Sequence, residues 1–294
     1  MAKVRWSLKT QLQGLDDQAA DFLKKGNLTR CRKALEKELT KPGREGLLDL
    51  DLPMVDIQRE KGALGAIAVL KGDVDGWQHL QTGLAYDNWR SRITVSFQES
   101  QDFQIEAVFY NATAVLLAHA IATREDNCAV WFGERMMNGF VHGTGIFSSG
   151  NATPFGMFMV KLFALWKGRE GELRGKNFGD LGPFQTVFTA WKRTEALSRA
   201  LEEVCDFHCD HARYRADGNM IFLWEPYRVL PVEILAVRRI RADLGLPTPE
   251  VQHPLMQTPL AEVPETIPPV KDALLEKIIA KARSVFPGID SPPR

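Results

Sequence analysis

The 294-residue chain has few of the features from which function is usually read. It has no surplus of charge: 37 Lys and Arg balance 37 Asp and Glu. That balance removes the broad basic field expected of a dedicated nucleic-acid or anionic-membrane binder, so neither partner is expected. Four cysteines in such a length are too sparse for a disulfide framework and point to reduced thiols in a cytoplasm. The N-terminal stretch MAKVRWSLKTQLQGLDDQ contains no continuous apolar core, which argues against export. The longest apolar run, Pro154 to Trp166, is interrupted by Lys161 and falls short of the roughly 20 residues a membrane span needs, so it reads as a buried helix. Nucleophile-elbow and zinc-protease signatures are missing, and so are long alternating strand patterns.

Hydrophobic residues make up 45% of the sequence and fall mainly at helical spacing, which predicts a mostly α fold. Two short amphipathic helices over 19–39 are broken at Gly26-Asn27, and the loop KPGREG separates an N-terminal segment, 1–45, from a main domain, 46–294. The same pattern also admits a single domain. Further helical runs end at Asp73, Asp126 and Glu170, each followed by a second helical candidate. Their spacing of about 45–50 residues suggests stacked, irregular helical hairpins. A long helix is expected over 184–213, ending in a turn at Asp217-Gly218, and another from Pro231 to Gly245, with proline at the start and glycine at the stop. Proline density then forbids regular structure over 247–269. Val251, Leu255, Met256 and Leu260 in this stretch imply a strap lying on the body, and an amphipathic helix carrying Leu274, Leu275, Ile278, Ile279, Ala282, Val285 and Phe286 should dock after it.

Four potential metal ligands stand together in CDFHCDH. On a helix, Cys205, His208 and Cys209 share a face and His211 sits at its edge. The residue types suit zinc, but four tetrahedral donors are difficult to supply from one helix unless His142 or His253 joins from elsewhere. The alternative is a buried, structural face, and no metal or cofactor is assigned. The stretch GTGIFSSG lacks the spacing of a nucleotide loop, whereas Asn151 and Thr153 ahead of Pro154 make a plausible helix start. Asp49, Asp51 and Asp56 lack the further donors of a cation site, and so do Asp73 and Asp75; Asp73 is read as the cap of a helix beginning near Val74. His79 and His119 are read as structural. No catalytic residue is assigned.

The aromatic-rich segment WQHLQTGLAYDNWRSR carries the residue types of binding hot spots. Trp77, Leu80 and Leu84 occupy one helical side, and Tyr86, Trp89 and Ile93 another. One side could be a further core layer or a partner surface. Asp73, Asp75, Trp77, Tyr86, Trp89 and Arg90 are therefore the candidate partner contacts.

Pro231-Val232-Glu233-Ile234-Leu235, the Arg-Ala-Asp-Leu-Gly helix end, His253-Pro254-Leu255 and the earlier YNATAVLLAHAI give about half the chain a resemblance to the helical immunity proteins of bacterial polymorphic toxin systems. They are similar in particular to the group called immunity protein 49. The resemblance implies a cytoplasmic, non-enzymatic protein that neutralises a cognate toxin by tight binding, and it carries no catalytic motif. An enzyme with a site assembled from scattered residues, and a helical-hairpin scaffold for another protein, are the alternatives.

Overall fold

The computed structural model describes residues 7–100, 110–143, 153–212, 221–222 and 224–291. The glycine-serine stretch after Gly143, together with Asn151, Arg213 and the expected turn at Asp217-Gly218, lies outside them. Among the described residues the fold is all-α, and no helix is long and apolar enough to cross a membrane. The helices are α1 (Leu8–Lys25), α2 (Asn27–Leu39), α3 (Glu45–Leu48), α4 (Asp51–Leu70), α5 (Gly76–Glu99), α6 (Tyr110–Ala122), α7 (Asp126–His142), α8 (Pro154–Trp166), α9 (Phe184–Ala190), α10 (Thr194–His211), α11 (Val232–Asp243) and α12 (Ala273–Val285). They form two compact units, which do not divide after residue 45. One comprises Leu12–Val108 and Pro264–Pro292; the other comprises Phe109–Val263 with the terminal segments Met1–Gln11 and Pro293–Arg294.

In the first unit α4 and α5 form a hairpin whose seam is made by glycine. A Cβ on Gly65 would lie 2.7 Å from the Gly76 carbonyl oxygen and 2.8 Å from the Leu80 nitrogen, so the two backbones approach more closely than any side chain allows. Helix α2 packs on α4, and α12 packs on α2 and α5. The last helix thus docks as its apolar stripe predicts, burying Leu274, Leu275, Ile278 and Ala282 against a core that includes Leu35, Met54, Ile57 and Tyr86. Its N-terminus is fixed by Asp272, which accepts from the Leu274 and Leu275 amides at 3.0 and 3.2 Å and pairs with Arg32 of α2 at 2.8 Å. Burial alone would raise the Asp272 pKa, but Arg32 and the helix amides hold it below the usual carboxylate range. At the other end of α12, Lys281 donates to the carbonyls of Leu39, the last residue of α2, and Lys41 just beyond it.

In the second unit α6 is the central helix. Every residue from Thr113 to Thr123 is buried, and α7, α8 and α11 pack around it. Helix α8 starts as its sequence predicts: Thr153 accepts from the Gly156 amide at 3.1 Å and Pro154 occupies the first turn. The apolar run of α8 is indeed buried, with Phe155, Phe158 and Phe163 fully enclosed. The single helix expected over 184–213 is instead two, α9 and α10. The break at Trp191–Arg193 leaves the Trp191 carbonyl to the fully buried Arg241 of α11, whose guanidinium also donates to the Pro247 carbonyl at 2.9 Å. Helix α11 begins one residue later than expected, with Pro231 as its cap, and stops as foreseen at Gly245.

The proline-rich segment is an ordered strap. Val251, Leu255 and Leu260 are buried and Met256 is half-buried, with short 3-10 turns at Pro254–Gln257 and Pro259–Ala261. Side chains spaced one turn apart on α10 hold it. Ser198 donates to the Glu250 carbonyl, Glu202 accepts from the Gln252 amide at 3.2 Å, and Asp206 faces His253 Nε2 at 3.5 Å.

Candidate functional site

The helix α10 places Cys205, His208, Cys209 and His211 in the interior. His208 Nδ1 lies 2.8 Å from Glu233 Oε1 of α11, with both side chains completely enclosed, and the His208 ring stacks on Phe222 at 4.1 Å. His211 turns the other way: its ring stacks on Phe207 at 3.8 Å and its Nδ1 bonds the Phe207 carbonyl at 2.8 Å. Burial, followed by the charge of Glu233, pushes the Cys205 and Cys209 thiols up, which suppresses the nucleophilic and metal-binding thiolate. His253, the distant donor that could have completed a metal set, does approach α10. It faces Asp206, however, and its Nδ1 accepts from the Leu255 amide at 3.2 Å. Among the described residues no three His, Cys, Asp or Glu side chains converge on a common point for an ion. The sequence cluster therefore joins α10 to α11 through His208 and Glu233, while His211 is held by the Phe207 carbonyl of its own helix.

His119 behaves similarly. It is buried on α6, bonds the Tyr227 hydroxyl at 3.1 Å, and burial drives its pKa down to about 3, so it is neutral at ordinary pH. His79 is half-buried beside Lys61, at 3.3 Å; burial and then the Lys61 charge lower its pKa.

The candidate partner contacts separate into two groups. Trp77, Tyr86 and Trp89 are core residues, exposed by 3%, 0% and 7%. Helix α5 has neighbours on more than one side, so both of its aromatic faces are covered, and a partner cannot reach them. Trp89 is flanked by the guanidiniums of Arg92 and Arg283, at 5.2 and 5.3 Å from its ring. Arg90 is occupied by Asp87 at 2.6 Å and Asp51 at 3.0 Å. Asp73 and Asp75 differ. They lie in the α4–α5 turn, where residues Lys71 to Asp75 are all exposed and Val74, between the carboxylates, is exposed by 76%.

That turn is rigidly built. Gly72, at φ 85°, ends α4; its amide donates to the Val69 carbonyl and the Asp73 amide to the Ala68 carbonyl, both at 2.9 Å. Asp73 Oδ1 then accepts from the Asp75 amide at 2.9 Å, so it caps the turn itself and α5 begins at Gly76, two residues later than expected. The product is an acidic tip with an apolar centre on a hairpin whose seam has no slack.

A second feature carries no sequence signature. A cleft of about 340 Å³ in the other unit is lined by Arg124 of the α6–α7 turn, Arg238 and Arg239 of α11, Thr248, and the strap residues Ala261 to Val263, together with Ala122, Leu235 and Ala242. Arg238 donates to the Ala261 carbonyl at 3.1 Å, and Arg239 to Asp243 at 2.7 Å. Arginines in VRRIRAD read as an ordinary charged helix face, and nothing local marks Arg124, so the sequence offered no way to group them. Compared with known proteins, the chain matches no family model, no curated protein and no solved structure.

Proposed function

We propose that this protein is an immunity-type inhibitor that binds and neutralises a cognate secreted toxin without chemistry of its own, and that the α4–α5 tip is a principal contact. The observation that carries this reading is the tip itself: Val74 stands exposed by 76% between exposed carboxylates of Asp73 and Asp75. The turn is fixed by three backbone and side-chain hydrogen bonds of 2.9 Å. A preorganised apolar residue ringed by charge loses little entropy on docking, and two carboxylates select a basic partner surface and speed encounter with it. The alternative enzyme reading would draw on Cys205, His208, Cys209 and His211, and their burial and internal partners favour the binding reading.

Co-expression with the toxin-bearing secreted protein encoded beside it tests the proposal. Growth rescue and a stable complex are expected, and Asp73→Lys with Asp75→Lys should abolish both while the chain stays folded, losing only about 1 kcal/mol with the Asp73 cap. Rescue and complex unaffected by that double reversal would refute the role of the tip. Failure of the intact protein to bind or rescue against every adjacent toxin would refute the function.

A further inference from the structure

We infer that the arginine-lined cleft of the second unit is a binding site for an organic monocarboxylate with an apolar body, held chiefly by Arg124 and Arg238. This inference does not rest on the immunity reading.

Its starting point is the backbone at Arg124. Four helices end with the same pair of hydrogen bonds, in which the amide of a left-handed residue reaches back three residues and the next amide reaches back five. At the ends of α4, α8 and α11 the left-handed residue is Gly72, Gly168 and Gly245, with φ of 85°, 67° and 68°. At the end of α6 it is Arg124, with φ of 64°, and among the described residues no other side-chain-bearing residue has positive φ. Glycine adopts this conformation without penalty, whereas a Cβ is penalised there. Such strain persists where a side chain is needed at that spot. The Arg124 side chain is exposed and lines the cleft.

The other lining groups define what the cleft would take. Arg239 is neutralised from within: Asp243 lies at 2.7 Å and Asp126 at 3.6 Å. Arg238 uses one Nη to hold the Ala261 carbonyl, which fixes its guanidinium without neutralising it. Arg124 and Arg238 thus face one lining carboxylate, Glu262, and the surplus of one positive charge suits a monoanion better than a phosphate dianion. A guanidinium fork matches a carboxylate in shape and donor spacing. Ala122, Leu235, Ala242 and Val263 supply apolar surface for the rest of the ligand, and 340 Å³ lies at the small end of ligand pockets, which run from about 300 to 1,000 Å³.

Isothermal titration of the full chain with hexanoate, acetate and inorganic phosphate tests the assignment. Hexanoate should bind with Kd of about 0.1–1 mM and about tenfold more tightly than either of the others, because only it combines one carboxylate with an apolar chain. Arg124→Gly should weaken hexanoate at least about tenfold, the loss of one charge-assisted pair, while keeping or raising the melting temperature, since glycine suits the turn. Arg238→Gln, which retains an amide donor for the Ala261 carbonyl, should weaken it by a similar factor. No hexanoate binding, phosphate binding as tight as hexanoate, or unchanged affinity in both variants would overturn the proposal.

Discussion

The α4–α5 and α6–α7 turns share one hydrogen-bond pattern and solve it with opposite residues. The first uses Gly72, at φ 85°, and directs its chemistry outward through the exposed Asp73, Val74 and Asp75. The second places Arg124 in the same backbone state and turns that side chain toward a cleft. The helices behind the turns differ as well. Glycines hold α4 and α5 at backbone contact, whereas α6 is enclosed by three helices and carries a buried histidine. Backbone geometry alone therefore does not decide which residue closes a helix; where the favoured glycine is absent, the side chain that replaces it is the first place to seek a use.

The comparison can be broken at the seam with the largest effect. Gly65→Leu forces a side chain against the Gly76 carbonyl and the Leu80 nitrogen, neither of which can move as a side-chain tip could, and should cost about 3 kcal/mol in urea unfolding. The equivalent weakness of the α6 hairpin lies in titration. His119 has a pKa near 3 when folded against histidine's ordinary 6.5, so the unfolded chain takes up a proton that the folded chain refuses. Its contribution is complete above pH 6.5 and declines as pH falls toward 3. Between pH 6.5 and 4.5 the loss should reach about 2–3 kcal/mol, and His119→Leu should remove that slope from the pH-stability curve.

Exchange at the turns themselves should be smaller and opposite in sign. Gly72→Arg, with open space around the glycine, should cost about 1 kcal/mol from φ alone, and Arg124→Gly should gain up to about 1 kcal/mol. Differential scanning calorimetry of the two variants side by side reads both. The smallest expected change is at the tip, where Asp75→Lys should alter stability by about 0.5 kcal/mol or less, as surface substitutions usually do, and adding Asp73→Lys should cost about 1 kcal/mol because it removes the acceptor of the Asp75 amide.

Much of the fold was legible because its signals are local. The break at Gly26, the cap at Thr153, the stop at Gly245 and the stripe of α12 each follow from residues within one or two turns. The break after α9 was not legible, because the guanidinium that takes the Trp191 carbonyl belongs to Arg241, fifty residues along the chain. Helix α5 left two readings open for a related reason: aromatic residues on two faces look alike in sequence whether a partner or the core covers them, and here Tyr86 and Trp89 face the core that α12 completes. Of the partner contacts, only the acidic pair of the tip lies where the sequence suggested a surface. The arginine cleft was invisible, since arginine at a helix end carries no turn signal and its partners come from α11 and the strap.

The trade between strain and ligand at Arg124 is tested most directly by thermal melting of the wild type and Arg124→Gly with and without hexanoate. The wild type should melt lower than the variant in plain buffer and gain stability on addition of hexanoate, while the variant should gain clearly less at the same hexanoate concentration. Equal ligand-induced gains in both proteins, or a variant that melts well below the wild type without ligand, would contradict the account.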